Sequence, residues 1–518
     1  MHVIEMFDRS ARHFPERLAL SGSGGEFTYR EAQVLSYRIA NAILHEGMGK
    51  DTRFAFLSPN DGLAMVSMLG SMRANAVWCN LNLRDTPDRI VDLLRRGGVE
   101  LVFYNSMVSE VVPLMREKLE TLRATICLDS RDENGVYLEN WIEAAPGIKP
   151  DVSYHDDDFG TQVCTGGTTG DPKLALSTHR WFSWFMLSLA TSIHFSQPPV
   201  YLSVAPITHG GGAAALYTLT QGGTVVMMAQ PDPDSILKAI EEKEISLMFL
   251  PPTLTYVLLK HPRVRDYDYG TLKYILSSAA PIAPEKICEV IKIFGPVLGQ
   301  TYGQAETGPL TFMSPQEYQE ALQDHSKQHR LASCGRQCIT VESLEIVDED
   351  DNPLPANERG EIVMRGPGEM HAYVGDKDAT ADIKRNGWHH TGDIGYRDDD
   401  GYIYVVDRKR DMIVSGGFNI FPFEIEQVLF GHPAVQDCAV IGVPDAKWGE
   451  AVKAFVVLSP GVSATEEELL AHCREKLGGM KTPKSIDFLD ELPRSAAGKT
   501  LKRALREKYW RGQERQVH

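Results

Sequence analysis

The sequence predicts an α/β protein. A large N-terminal domain of layered α/β subdomains, closing with a β-rich subdomain, leads into a small α+β C-terminal domain. Three observations predict it. Short apolar runs alternate with helical patterns through about the first 400 residues, at the spacing of strand–helix–strand layers with mostly parallel sheet. From Val341 the texture changes to short strands separated by turns. A dense charge run, Asp407-Arg408-Lys409-Arg410-Asp411, then separates this region from a compact α+β pattern. At 518 residues the chain exceeds the roughly 250–300 residues at which single cores stop growing, so at least two domains are expected.

Val3, Ile4, Met6, Phe7 and Ala11 share one face of an N-terminal helix. Residues 53–57 read as a buried strand and residues 62–73 as the helix after it. Residues 101–104, 125–128 and 161–164 read as further short strands. Residues 224–228, 234–244 and 247–250 repeat the order strand, helix, strand. In the β-rich part, residues 344–347 and 361–365 are strands either side of a turn at 350–355. Beyond the charge run come a helix at 422–430, strands at 434–443 and 452–458, and a helix at 466–476. The expected division is a large domain, 1–407, a junction, 408–411, and a small domain, 412–518.

The formal net charge is −17. A basic footprint is missing, which argues against nucleic acid as a partner. From Arg408 onward 17 Lys and Arg face 15 Asp and Glu, a net of +2, which leaves −19 for residues 1–407. Eight scattered cysteines do not make a disulfide scaffold, and the lone CxxxC of Cys334 and Cys338 has no second pair for zinc. Residues 1–20 carry Glu5, Asp8, Arg9, Arg12 and Glu16, unlike a signal peptide, and no run of about 18 apolar residues reads as a membrane span. A cytoplasmic setting with reduced thiols is expected.

Five segments carry chemistry. Thr165-Gly166-Gly167-Thr168-Thr169-Gly170-Asp171-Pro172-Lys173 offers backbone N–H groups, hydroxyls and one ammonium to a phosphate, without the spacing of a Walker loop. Tyr302-Gly303-Gln304-Ala305-Glu306 sets an aromatic ring near a carboxylate able to hold Mg2+ beside phosphate oxygens. Trp388-His389-His390-Thr391-Gly392-Asp393, with Asp407-Arg408, supplies a carboxylate and a guanidinium for a pair of hydroxyls. Ser415-Gly416-Gly417-Phe418 permits close approach of a ligand or of backbone. Lys499 follows small residues on a loop, Pro493-Arg494-Ser495-Ala496-Ala497-Gly498-Lys499. Taken singly, each segment also reads as an ordinary turn or a solvated side chain.

In this order the five resemble the acyl-adenylate-forming superfamily of acyl-CoA synthetases, peptide-synthetase adenylation domains and firefly luciferase. The resemblance runs from about Phe7 to Lys508. It implies an ATP-dependent carboxylic acid–CoA ligase that forms acyl-AMP and pyrophosphate, then a thioester with coenzyme A. It implies that Thr165, Gly166, Gly167, Thr168, Thr169, Gly170 and Lys173 hold the β- and γ-phosphates, and that Ala279, Ala280, Pro281, Tyr302 and Gly303 flank adenine. Glu306 would ligate Mg2+, and Asp393 with Arg408 would bind the ribose. Lys499, carried on a mobile C-terminal lid, would reach the acid's carboxylate and the α-phosphate. Coenzyme A would enter beside Gly416, Gly417 and Phe418 once the lid turns, with Arg410 as pivot. Four departures stand out: Gly166 replaces a common serine, Ala305 a common threonine, Ala496 and Ala497 more polar neighbours, and Arg410 the usual Asp or Lys.

The acyl pocket is expected beneath Pro206-Ile207-Thr208-His209, with His209 at its mouth. Gly210-Gly211-Gly212 either makes room for a branched, cyclic or long acyl group or turns the chain. Trp181, Phe182, Trp184 and Phe185 are wall or core. No basic residue suggests itself for a second carboxylate, which favours a monocarboxylate. The partners are then a small-molecule carboxylic acid, ATP and coenzyme A, with a homodimer left open. Two rival readings are an adenylating enzyme that loads a carrier protein and a non-catalytic nucleotide-binding relative.

Overall fold

The computed structural model describes residues 2–83, 85–165, 172–278, 280–494 and 500–510. Within them lie four sheets, of nine, eight, five and five strands. In the nine-stranded sheet, Val200–Ser203, Thr224–Met227, Leu247–Leu250, Tyr274–Ser277 and Leu298–Gln304 run parallel, and Gly308–Met313 turns back antiparallel. In the eight-stranded sheet, Arg53–Leu57, Val77–Cys79, Leu101–Tyr104, Ala124–Cys127 and Phe159–Cys164 run parallel, with Leu174–Thr178 antiparallel beside the last of these and Ala372–Tyr373 beyond it at the edge. Helices cover both sheets, as buried parallel strands require.

The helix Gly62–Arg73 shows how tightly the large domain is filled. Asp61 caps it by accepting from the Leu63 and Ala64 N–H groups. Apart from Leu63 all its residues are buried, as expected of a helix that is apolar nearly all round. Its last residue, Arg73, is fully buried, with Asp8 accepting at 2.7 and 2.9 Å and Tyr37 beneath the guanidinium. That bidentate pair ties Val3–His13 to Tyr29–His45 and Gly62–Arg73.

The third sheet is antiparallel: Ser343–Val347, Gly360–Arg365, Trp388–Arg397 and Ile403–Arg408 follow one another across it. A short 3₁₀ turn, Lys409–Asp411, leads from it to the fourth sheet. There Val435–Asp445 and Gly449–Leu458 form a long hairpin backed by helices Pro422–Phe430 and Glu466–Lys481. Both strands outrun their expected ends, because Asp445 Oδ1 accepts from the Lys447 and Trp448 N–H groups and carries the ladder to the Asp445–Gly449 pair. No helix among the described residues is long and apolar enough to cross a membrane.

A buried polar chain fixes the N-terminus. His2 Nδ1 accepts from the Ile4 N–H at 3.2 Å, and its Nε2 faces His179 Nε2 at 3.2 Å. His179 Nε2 also meets Asn75 Oδ1 at 2.7 Å, and Asn75 donates to Asp158, which pairs with Lys50. Burial pushes the His179 imidazole down to about 4 and holds His2 well below its usual range. An unfolded imidazole titrates near 6.5, so between about pH 6.5 and 4 the unfolded chain binds more protons. The stabilisation from neutral His179 is whole above pH 6.5 and falls as pH drops. We predict a loss of about 2 kcal/mol from this residue at pH 5. Thermal denaturation at pH 7 and pH 5 tests it: His179→Asn should narrow the gap between the two midpoints.

Candidate active site

Four of the five predicted segments border a cavity of about 1360 Å³ between the two large sheets, the antiparallel sheet and the C-terminal unit. That exceeds the roughly 300–1,000 Å³ typical of a single small-molecule site. Thr165, Lys173, His209, Gly303, Glu306 and Arg408 all line it.

The neck of the Gly/Thr segment is closed by ordinary backbone chemistry. Thr165 N–H donates to the Lys173 carbonyl at 2.8 Å, Cys164 N–H to Asn80 Oδ1 at 2.6 Å, and Arg96 to the Pro172 carbonyl at 2.8 Å. Gly166, Gly167, Thr168, Thr169 and Gly170 lie outside the described residues, as does Ala279. Ala280 is exposed and Pro281 half-buried; neither lines the cavity, whereas Ser278 does. Lys173 pairs with Asp376 at 3.4 Å.

Asp393 is the most enclosed of the predicted residues, 2% exposed. Its Oδ2 accepts from the Tyr302 hydroxyl and from Gln304 Nε2, each at 2.8 Å, and Arg408 Nε lies 2.8 Å from Oδ1. Tyr302 was expected against a planar base; its phenol points to Asp393, and it is Gly303 and Gln304 that face the cavity. The cause is local. A Cβ at Gly303 would overlap the Gly308 carbonyl, so only glycine lets the hairpin close there. Gln304 was missed, because a glutamine beside a glycine carries no signal of its own.

His209 stands at the start of helix Gly210–Thr220, its Nδ1 3.0 Å from Thr208 Oγ1. Gly210 and Gly211 line the cavity, but the room left by the missing side chains is taken up close by. Cβ atoms at Gly211 and Gly212 would overlap the Ala205 and Ile207 carbonyls, and one at Gly210 would press on the Phe249 ring. They let the helix seat directly on residues 205–207. Of the four aromatics on His179–Ser192, Trp181, Phe182 and Phe185 line the cavity, joined by Phe249 and Phe312, while Trp184 faces away from it.

At the junction, Lys409 reaches Glu361 at 3.1 Å and Asp411 pairs with Arg506 at 2.7 Å. Arg410 lines the cavity, its pKa lowered by burial and by the Arg408 charge. Asp407 accepts from the Phe423 N–H at 2.8 Å, and burial raises its carboxyl to about 6. Lys499 lies outside the described residues. Its flanks, Arg494 and Leu501, both line the cavity, drawn together by an Arg494–Thr500 bridge and a backbone bond from Leu501 N–H to the Pro493 carbonyl at 2.7 Å. Gly416, Gly417 and Phe418 do not reach the cavity. They form the tip of the hairpin Ile413–Ser415/Phe418–Ile420, where both glycines have positive φ, Trp448 covers Gly416, and Phe418 is 55% exposed.

Glu306 Oε1 accepts from the Tyr373 hydroxyl at 2.7 Å. Among the described residues no group of three His, Cys, Asp or Glu converges as a metal cage. His389 and His390 are engaged with Glu369 at 3.2 Å and Glu361 at 3.4 Å. A single carboxylate suits Mg2+, which keeps waters and takes phosphate oxygens. The arrangement therefore fits a metal that arrives with a nucleotide.

The AMP-binding enzyme family model matches residues 7–374, and the AMP-binding enzyme C-terminal domain model matches 424–499. A feruloyl-CoA synthase of an Amycolatopsis species is 33% identical over 503 residues, 97% of this chain and 98% of the relative. A long-chain-fatty-acid–CoA ligase of Escherichia coli O6:H1 is 30% identical over 552 residues, 98% of this chain and 94% of the relative. The crystal structure of ATP-bound MatB from Rhodopseudomonas palustris superposes with a TM-score of 0.88 at 27% identity, covering 98% of this chain and 99% of that one.

Removing the Asp393 carboxylate strands three donors at once. Each buried unsatisfied group costs about 1–3 kcal/mol. Asp393→Ala should therefore lower the thermal midpoint markedly in the absence of any nucleotide, and Asp393→Asn, which keeps one acceptor, should lower it less.

Proposed function

The chain belongs to the AMP-binding enzyme family, and on that premise we propose how its residues divide the work of an ATP-dependent carboxylic acid–CoA ligase. The observation that carries the reading is the shared cavity, where Lys173, Glu306, Arg408 and the flanks of Lys499 border one space with an aromatic wall. In the first step the carboxylate attacks the α-phosphorus of ATP, giving acyl-AMP and pyrophosphate. In the second, the thiol of coenzyme A attacks the acyl carbon and AMP leaves.

Thr165, the Gly/Thr loop and Lys173 hold the β- and γ-phosphates. Glu306 would hold Mg2+, whose charge would offset that of the departing pyrophosphate. Asp393 and Arg408 together receive the ribose, so that the diol enters an existing ion pair. Gly303, together with Ala279, borders adenine, while Ala280, Pro281 and Tyr302, which do not line the cavity, stand outside that role. Lys499 bridges the two anions and stabilises the pentavalent transition state. His209 guards the mouth of the acyl pocket. Residues 1–407 form the adenylate-binding domain, 408–411 the hinge and 412–518 the lid. Turning the lid brings Gly416, Gly417 and Phe418 to the thiol's path. A cytoplasmic setting goes with these substrates.

The acid is an apolar monocarboxylate, aromatic or aliphatic. Trp181, Phe182, Phe185, Phe249 and Phe312 line the cavity and provide its apolar wall. A panel of acids read by CoA-dependent AMP release tests this. Aryl and aliphatic monocarboxylates should turn over and dicarboxylates should not. Lys499→Ala should abolish adenylation while preformed acyl-AMP is still converted to thioester; an equal fall in both half-reactions would refute the role of Lys499. Gly417→Leu should block thioester formation and spare pyrophosphate exchange. AMP release that depends on an added carrier protein instead of CoA would favour the carrier-loading reading.

A further inference from the structure

No motif singled out Tyr373. It lies in the short strand Ala372–Tyr373, antiparallel to Leu174–Thr178, the strand that leaves the Gly/Thr segment. Its hydroxyl donates to Glu306 Oε1 at 2.7 Å, and Lys173 Nζ stands 5.1 Å from its ring centroid. The neighbouring backbone is stitched to both sides. Val374 N–H donates to the Leu174 carbonyl at 2.9 Å, and Met370 N–H to the Glu306 carbonyl at 2.7 Å. Tyr373 N–H donates to Thr380 Oγ1 at 3.0 Å. Tyr373 also lines the cavity.

We propose that Tyr373 is a positioning residue for the metal-bound nucleotide. Its hydroxyl holds one oxygen of Glu306, which fixes the carboxylate plane and leaves Oε2 for Mg2+. Its ring face steadies the Lys173 ammonium from below while Asp376 holds it from the side. One side chain thus sets the spacing between the phosphate-binding lysine and the metal-binding carboxylate. Partners that orient a metal ligand typically change metal affinity by about 10–100-fold when removed. The proposal rests on the role given to Glu306.

Phenylalanine separates the two functions, because it keeps the ring and loses the hydroxyl. Calorimetric binding of a non-hydrolysable ATP analogue, with and without Mg2+, gives a readout apart from turnover. For Tyr373→Phe the Mg2+ concentration at half-effect should rise about tenfold, with metal-free analogue binding within about twofold of the parent. Tyr373→Ala should weaken metal-free binding as well, since Lys173 loses its ring, and Phe should restore that part. An unchanged Mg2+ midpoint in Tyr373→Phe, or an equal loss with and without metal, overturns the proposal. Glu306→Gln in the same assay keeps the two claims apart. If it shifts the Mg2+ midpoint and Tyr373→Phe does not, only Tyr373 is misassigned. If it leaves the midpoint unmoved, the Glu306 assignment fails and takes this one with it.

Discussion

Two anions have to be held in contact at this site, and the arrangement of the cavity follows from that. A carboxylate approaching a triphosphate at 4 Å meets repulsion of about 1 kcal/mol per charge pair in water and about 4 kcal/mol at the effective dielectric of a protein surface. Fixed positive charge is the remedy, and the cavity is bordered by Lys173, Arg408, Lys409, Arg410 and Arg494. Those cations repel one another before any ligand arrives. The structure offsets this with paired carboxylates: Asp376 for Lys173, Asp393 for Arg408, Glu361 for Lys409, and Asp437 for Arg494. On the proposed function, phosphate and ribose enter a field of cations that already have carboxylate partners.

The same balance explains the burial at the junction. Asp407 and Asp411 lie in the segment that joins the antiparallel sheet to the last one, with Lys502 and Glu426 close by. Burial raises Asp407, while Lys502 and Arg506 hold Asp411 low against that same burial. Neighbouring carboxylates thus sit in different protonation regimes within one short stretch. Among the described residues, Arg359 crosses from the large domain to Glu424 at 2.7 Å and lies over the Phe421 ring, and Lys481 of the C-terminal unit takes the other Glu424 oxygen. Ion pairs of this kind can be exchanged, in line with the hinge proposed for residues 408–411.

Much of the fold was legible because period and burial coincide. Gly62–Arg73, Leu247–Leu250 and Pro422–Phe430 fall where the apolar patterns put them. The hairpin Val435–Asp445/Gly449–Leu458 was read short, since its ends are held by an Asp turn and not by hydrophobicity. Motif spacing led to Lys173 and Glu306, which the structure brings to one cavity, and to Asp393, which it pairs with Arg408; their roles there belong to the proposed function. The site was not legible where a common residue acts through a distant partner. Gln304 and Tyr373 reach their carboxylates across 89 and 67 positions of chain, distances that no local pattern encodes. Gly210-Gly211-Gly212 shows the opposite failure. A conspicuous run invited a ligand, yet the space it frees is filled by the chain's own carbonyls and by Phe249.

That filling bears on what limits the acid. With the glycines spent on seating the helix, the acyl volume is set by rings that rest on it. Phe249 sits over Gly210, Trp78 lies against Gly212, and Trp181 packs on Phe182 and Phe185 at 5.8 and 5.4 Å. Close-packed aromatic walls yield little, because each ring is wedged by the next and a change of even one methylene is felt. The aromatic part of the wall is therefore built by the large domain, while Arg494 and Leu501 of the C-terminal unit also line the cavity. On the proposed function, then, the rings that meet the first turn of Gly210–Thr220 are where the choice of acid is to be sought, apart from the timing given to the lid.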